Sequence, residues 1–274
     1  MIDYRYIAPR ARLRDRLAYD GRILKVLARA EFRLKYAGSI LGYVWSLAKP
    51  MMYFAVLWVV FGSSVFSSGI ARYPLYLLIG IVLNTFLVDA VSAALPSIAS
   101  SGPTIRRISF PPLVIPLASS LATGMTFLAN YVVVLIFLAA DGVWPQFDWL
   151  LLIPLLVELY VFVLAIAIVA GTLFVRFRDV GQIWQVTAPL LFFTAPIMYP
   201  ITVLPHWAQR LTELNPFVQT MQDIRTIMLG PDALAAGARP EFVSRLYPIA
   251  VALVLLGVSL LLHRRASPRF AEFA

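Results

Sequence analysis

Two carboxylates stand where carboxylates are rare: Asp89 and Glu158 interrupt long apolar runs. Burying their charge in hydrocarbon is costly, which makes them functional candidates by default. The alternative is structural, each acid being protonated or hydrogen-bonded between helices. No basic residue in the same apolar stretches is an obvious partner, and a proton relay needs more than two such groups. Other chemistry is absent. The three lysines, Lys25, Lys35 and Lys49, follow no glycine-rich loop, and no G-x-x-x-x-G-K-[ST] run occurs, so this chain does not cradle a nucleotide that way. There is no H-E-x-x-H or G-x-S-x-G. Cysteine is missing and the two histidines, His206 and His263, are far apart. No catalytic, cofactor-binding or metal site is expected.

These residues must be positioned by membrane helices. Of 274 residues, 61% are hydrophobic and 14% charged, with mean hydropathy +0.82. Soluble domains run at about 45–50% apolar and about 25% charged. The excess excludes a soluble enzyme and a disordered chain, leaving an all-α integral membrane protein. Crossing hydrocarbon takes roughly 20 apolar residues. Six segments approach this: 41–61, 75–95, 113–140, 149–175, 183–199 and 246–262. The fifth carries Pro189 and Pro196 and is followed by Pro200, so a broken or tilted helix is expected there. The organisation is a segment 1–40, a six-helix domain 41–262 and a tail 263–274.

Eighteen of the 23 Lys and Arg fall on the side of the termini: ten before the first span, Lys49, Arg106, Arg107, Arg176, Arg178, Arg264, Arg265 and Arg269. The positive-inside rule puts both termini in the cytoplasm. The net charge of +9 thus reflects orientation and anionic headgroups, not nucleic acid. Trp144, Trp149 and Trp207 lie near outer span ends, as an interfacial belt requires. Residues 1–35 are Arg-rich without an apolar h-region, unlike a signal peptide.

Arg22, Lys25, Arg29 and Arg33 share one helical face, and Ile23, Leu27, Ala30 and Leu34 form a stripe on another. That pattern describes an amphipathic helix lying in the interface; a solvated basic arm is the plainer alternative. The cytoplasmic segment 97–112 has room for a short helix ending at Pro111-Pro112. In the outer segment 200–245, 202–214 and 216–229 are half-apolar and too short to span, with Pro216 suited to a first turn. They either dip into the outer leaflet or lie flat on the surface.

Three stretches carry a resemblance: Glu31-Phe-Arg-Leu-Lys-Tyr-Ala-Gly-Ser-Ile-Leu-Gly-Tyr-Val-Trp-Ser-Leu-Ala-Lys-Pro50; Phe177-Arg-Asp-Val-Gly-Gln-Ile-Trp184, continuing to Phe193-Thr-Ala-Pro-Ile-Met-Tyr-Pro200; and Asn215-Pro-Phe-Val-Gln-Thr-Met-Gln-Asp-Ile-Arg225. Together the chain resembles the permease subunit of ABC-2 type exporters of polysaccharides: O-antigen, capsule, teichoic acid and cell-wall galactan. The resemblance runs from about residue 20 to 265. It implies an interface helix, six spans, a cytoplasmic coupling helix and two re-entrant outer gate helices. It also implies a homodimer in a bacterial inner membrane, two copies of a separate ATPase that binds ATP and Mg, and a lipid-linked glycan cargo.

In those roles Gly42 turns the interface helix into the membrane, and Trp45 and Lys49 anchor the bend at headgroup depth; packing is the alternative for Trp45. Arg106 and Arg107 sit at or beside the ATPase contact. Arg178 and Asp179 form an ion pair or cap at the foot of the fifth span, or else touch the ATPase. Met221, Asp223 and Arg225, after Pro216, face the outer gate, with Asp223 and Arg225 near its mouth. The alternatives are a drug or lipid efflux permease, a passive channel, and a membrane enzyme acting on lipid-linked sugars. Sparse cytoplasmic acids with no D-x-D pair disfavour the enzyme.

Overall fold

The computed structural model describes residues 13–36, 42–62, 70, 72–101, 111–230 and 242–270. These are helical, and no strand occurs among them. In order they form α1 (Leu13–Tyr36), α2 (Val44–Phe61), α3 (Tyr73–Ser100), α4 (Val114–Ala140), α5 (Leu152–Arg176), α6 (Asp179–Thr194), α7 (His206–Glu213), α8 (Pro216–Leu229) and α9 (Phe242–Ala266). Short 3₁₀ turns at Phe147–Leu151, Ile201–Val203 and Ser267–Arg269 join or extend them.

Among the described residues five stretches are long and apolar enough to cross a membrane: Val44–Phe61, Tyr73–Ser100, Val114–Ala140, Phe147–Arg176 and Leu246–Ala266. The expected fifth span, 183–199, does not form one continuous helix. α6 has 16 residues, about 24 Å at 1.5 Å per residue, short of the ~30 Å hydrocarbon core. Ala195 is extended at φ −82°, ψ 139°, because Pro196 disfavours helical backbone before it and supplies no N–H. Residues 195–200 continue without helix.

α3 is the centre, buried on most of its surface. α4 and α5 flank it, α9 lies along α5, and α8 wedges among α3, α5 and α9. Lipid tails are as apolar as leucine, so close packing rather than hydrophobic transfer holds such helices together. Gly171 on α5 permits this, since a Cβ there would stand 2.7 Å from the Ala94 carbonyl oxygen of α3. At one end Arg72, at φ 56° before α3, pairs with Asp141 after α4 at 2.9 Å.

α1 lies against α4. Its buried line runs through Ala28, with Ile23, Leu24 and Leu27 packed beside it. Arg22, Lys25, Arg29 and Arg33 are exposed on a second face. Val26 and Leu34, 67% and 72% exposed, mark a third, apolar face. The expected stripe is therefore divided: Ile23 and Leu27 turn toward the protein, Ala30 and Leu34 away. Gly42, at φ 46°, makes the bend into α2 in a region L-residues rarely adopt.

Candidate functional site

The break after α6 creates an accounting problem. Every carbonyl from Ala195 to Pro200 has left the helical ladder, and an unpaired buried carbonyl costs about 1–3 kcal/mol. α3 and α8 answer it with three side chains. Arg225 of α8 is fully buried. Its Nη1 donates to the Pro196 carbonyl at 2.8 Å and Nη2 to that of Ile197 at 3.0 Å. Nε and Nη2 both donate to the Tyr76 carbonyl, at 3.1 and 2.9 Å. Gln222 Oε1 accepts from Nη1 at 3.5 Å. The guanidinium carbon lies 3.5 Å from the Tyr76 ring centroid, close enough for a strong cation–π contact. The Tyr76 hydroxyl shares its one proton between the carbonyls of Pro196 at 3.0 Å and Tyr199 at 3.2 Å. Tyr73 donates to Met198 at 2.8 Å. Gly80 is part of this clamp, because a Cβ there would collide with Arg225 Nη2.

The clamp corrects one expectation. Met221 and Arg225 are both 0% exposed, so their side chains do not face an outer mouth. α8 is amphipathic, and Phe217, Met221, Ile224 and Met228 form its buried stripe. Arg225 lies beside that stripe and Asp223 on the half-exposed face. Pro216 opens α8, capped by Asn215, whose Oδ1 accepts from Phe217 N at 3.0 Å. Gly230 at φ 90° closes it.

Asp89 has a partner after all. Lys49 Nζ of α2 lies 2.9 Å from Asp89 Oδ1 of α3. One turn on, Ser92 Oγ accepts from Trp184 Nε1 of α6 at 2.8 Å. One polar face of α3 thus touches both α2 and α6. Those two helices are otherwise bare: only Pro50 and Phe54 are buried on α2, and only Ala188 on α6. Val56, Val59, Val186 and Phe193 are each more than 60% exposed. Trp45 is 53% exposed, so packing within the protomer does not hold it.

Glu158 of α5 accepts from Thr220 Oγ1 of α8 at 2.8 Å. It lines, with Asp223, a cleft of about 580 Å³ between α5, α8 and α9. Arg178 is not ion-paired with Asp179; its guanidinium stacks over Phe174 at 5.0 Å. Asp179 occupies the first turn of α6, where the helix dipole favours a carboxylate. Arg106 and Arg107 lie outside the described residues. On α1, burial against α4 pushes the Glu31 carboxyl up to about 7, and a hydrogen bond with Ser119 offsets part of the shift. Among the described residues no three His, Asp or Glu gather as metal ligands.

The described residues thus present a helical bundle, two sparsely buried helices and a pinned helix break. Residues 22–229 match the model of the ABC-2 type transporter family. Two O-antigen export system permease proteins RfbA of Klebsiella pneumoniae are each 26% identical over 262 residues, covering 95% of this chain and 98% of the relative. That of Myxococcus xanthus is 25% identical over 218 residues, 78% of this chain and 83% of the relative. Near-complete coverage in both directions makes the likeness one of whole chains. The chain belongs to the ABC-2 type transporter family.

Proposed function

We propose that this protein is the permease subunit of an ATP-driven polysaccharide exporter, moving a lipid-linked glycan outward across a bacterial inner membrane. The observation that carries the reading is the end-to-end likeness to permeases named for O-antigen export. It favours a glycan over a drug or small lipid. The bare faces of α2 and α6 support a homodimer. Each helix leaves apolar side chains uncovered on the side away from α3, and a second copy facing them would bound a path between the protomers. A separate ATPase dimer, which binds ATP and Mg, docks on the cytoplasmic side near Arg106, Arg107, Arg178 and Asp179.

In this reading α6 and the extended segment 195–200 together make the fifth of six crossings. Both termini are cytoplasmic, and α7 and α8 form the outer gate. Non-helical backbone at membrane depth is tolerated where protein surrounds it, and the Arg225 clamp supplies that surrounding. Basic side chains on α1 rest among headgroups while its apolar third face meets lipid.

The test is a gene deletion complemented with variants, with surface glycan as the readout. Deletion should abolish surface glycan while lipid-linked glycan accumulates inside, and the purified chain should hydrolyse ATP only with its partner. Unchanged surface glycan in the deletion strain would sink the proposal.

A further inference from the structure

The ends of α5 and α9 converge on a separate pocket of about 250 Å³. Its walls include Leu173, Val175, Phe177, Leu262 and Phe270, and among the described residues its charged lining is Arg176 and Arg265. Phe270, 2% exposed, folds back from the turn after α9 and stacks edge-on against His263 at 5.2 Å. His263 in turn meets Thr172 through Nδ1 at 3.0 Å, while its buried Nε2 has no hydrogen-bond partner among the described residues. The floor is therefore built from packed side chains. Leu173, Phe177 and Leu262 are 38–51% exposed, so the pocket opens on the outside of the bundle. Among the described residues neither Arg176 nor Arg265 pairs with a carboxylate.

We propose that this pocket holds the phosphate of one anionic phospholipid of the cytoplasmic leaflet between Arg176 and Arg265. Charge complementarity selects the head: among the described residues two guanidiniums and no acid line the site. Basic pockets between transmembrane helices on the cytoplasmic side take anionic headgroups for this reason. Two helix C-termini nearby oppose an anion, but charge-assisted hydrogen bonds to two guanidiniums outweigh them. The volume admits a headgroup and the root of a chain but not a whole lipid, so the acyl tails run down the exposed leucines into the bilayer. The assignment to the cytoplasmic leaflet rests on the orientation given above. Binding itself does not, so the two fail separately.

The test is native mass spectrometry of the delipidated permease–ATPase complex with phosphatidylglycerol, phosphatidylethanolamine or a polyprenyl diphosphate added. Wild type should retain one phosphatidylglycerol per permease chain at least about tenfold more tightly than phosphatidylethanolamine, a difference of about 1.4 kcal/mol. Arg176→Gln with Arg265→Gln should abolish that preference, and the Lys pair should restore part of it. If the Gln pair fails to assemble, Leu262→Trp fills the pocket with both charges intact and should also abolish retention. Equal retention of both phospholipids, or an unaltered preference in the filled pocket, would overturn the proposal. Retention of the diphosphate alone would overturn it too, because the site would then belong to the cargo.

Discussion

The clamp around Arg225 and the polar face at Lys49–Asp89 solve the same problem to different degrees. Both put charge among apolar helices. Around Arg225 each guanidinium nitrogen has a named acceptor and nothing reaches solvent. At Lys49–Asp89 the side chains remain 49% and 25% exposed, beside two helices with almost no buried residues. The first region is complete within one chain. The second stands on a face that the described residues leave open. A buried cation with full satisfaction belongs to the architecture, whereas a half-exposed pair on an uncovered face belongs to whatever comes to lie against it.

The contrast breaks most sharply at the clamp. Arg225→Ala removes the donors to three backbone carbonyls at about 1–3 kcal/mol each. Loss of several kcal/mol should lower the unfolding midpoint of the detergent-purified protein by ~10 °C or more. Arg225→Lys keeps the charge without the fork and should fall between. A wild-type midpoint for the alanine variant would mean the carbonyls find other donors. Tyr73→Phe and Tyr76→Phe, each losing one hydroxyl, should cost about 1 kcal/mol apiece by the same measurement.

The other side of the comparison is sharpened by a double-mutant cycle on Lys49→Gln and Asp89→Asn. An exposed pair couples by about 0.2–1 kcal/mol, so thermal stability should barely move. Surface glycan should fall more than stability does. A stability loss as large as that of Arg225→Ala would place this pair with the clamp.

The smallest effect concerns Glu31. Its carboxyl is raised from 4.5 to about 7 by burial, so the folded state holds its proton where the unfolded state has lost it. Stability from this group is present below about pH 4.5 and declines as pH rises through about 7. Glu31→Gln should flatten the pH dependence of α1 docking, read by proteolysis of α1 between pH 5 and 8 (about the range over which such a group titrates). An unchanged profile would remove Glu31 as the cause.

Sequence patterning reached the long helices because hydropathy and length are local properties. It found the weak point at Pro189–Pro196 for the same reason, yet not that helix would stop at Thr194. Arg225 was placed near the gate mouth by resemblance, whereas its side chain is buried. The spacing of Phe217, Met221, Ile224 and Met228 put Arg225 beside the buried stripe, and that signal was available. Lys49–Asp89 was missed because partners were sought within one apolar run. Counting back from the connection between the antiparallel helices α2 and α3 sets both residues at similar depth. The tyrosine hydroxyls and Gly80 had no local signal, since their roles depend on where a distant segment loses its helix.

Because the clamp grips the chain just beyond the C-terminal end of α6, it fixes one end of a rod whose other end is joined to α5 through Phe177 and Arg178. α6 is about 24 Å long and packs against α3 and α5 with only Ala188 buried. Any tilt pivots near Ala195. A rotation of about 10° there carries the Asp179 end through ~4 Å while the pivot scarcely moves. The helix is a lever with its fulcrum at the break, and small torques at the foot become large displacements there, not at the top.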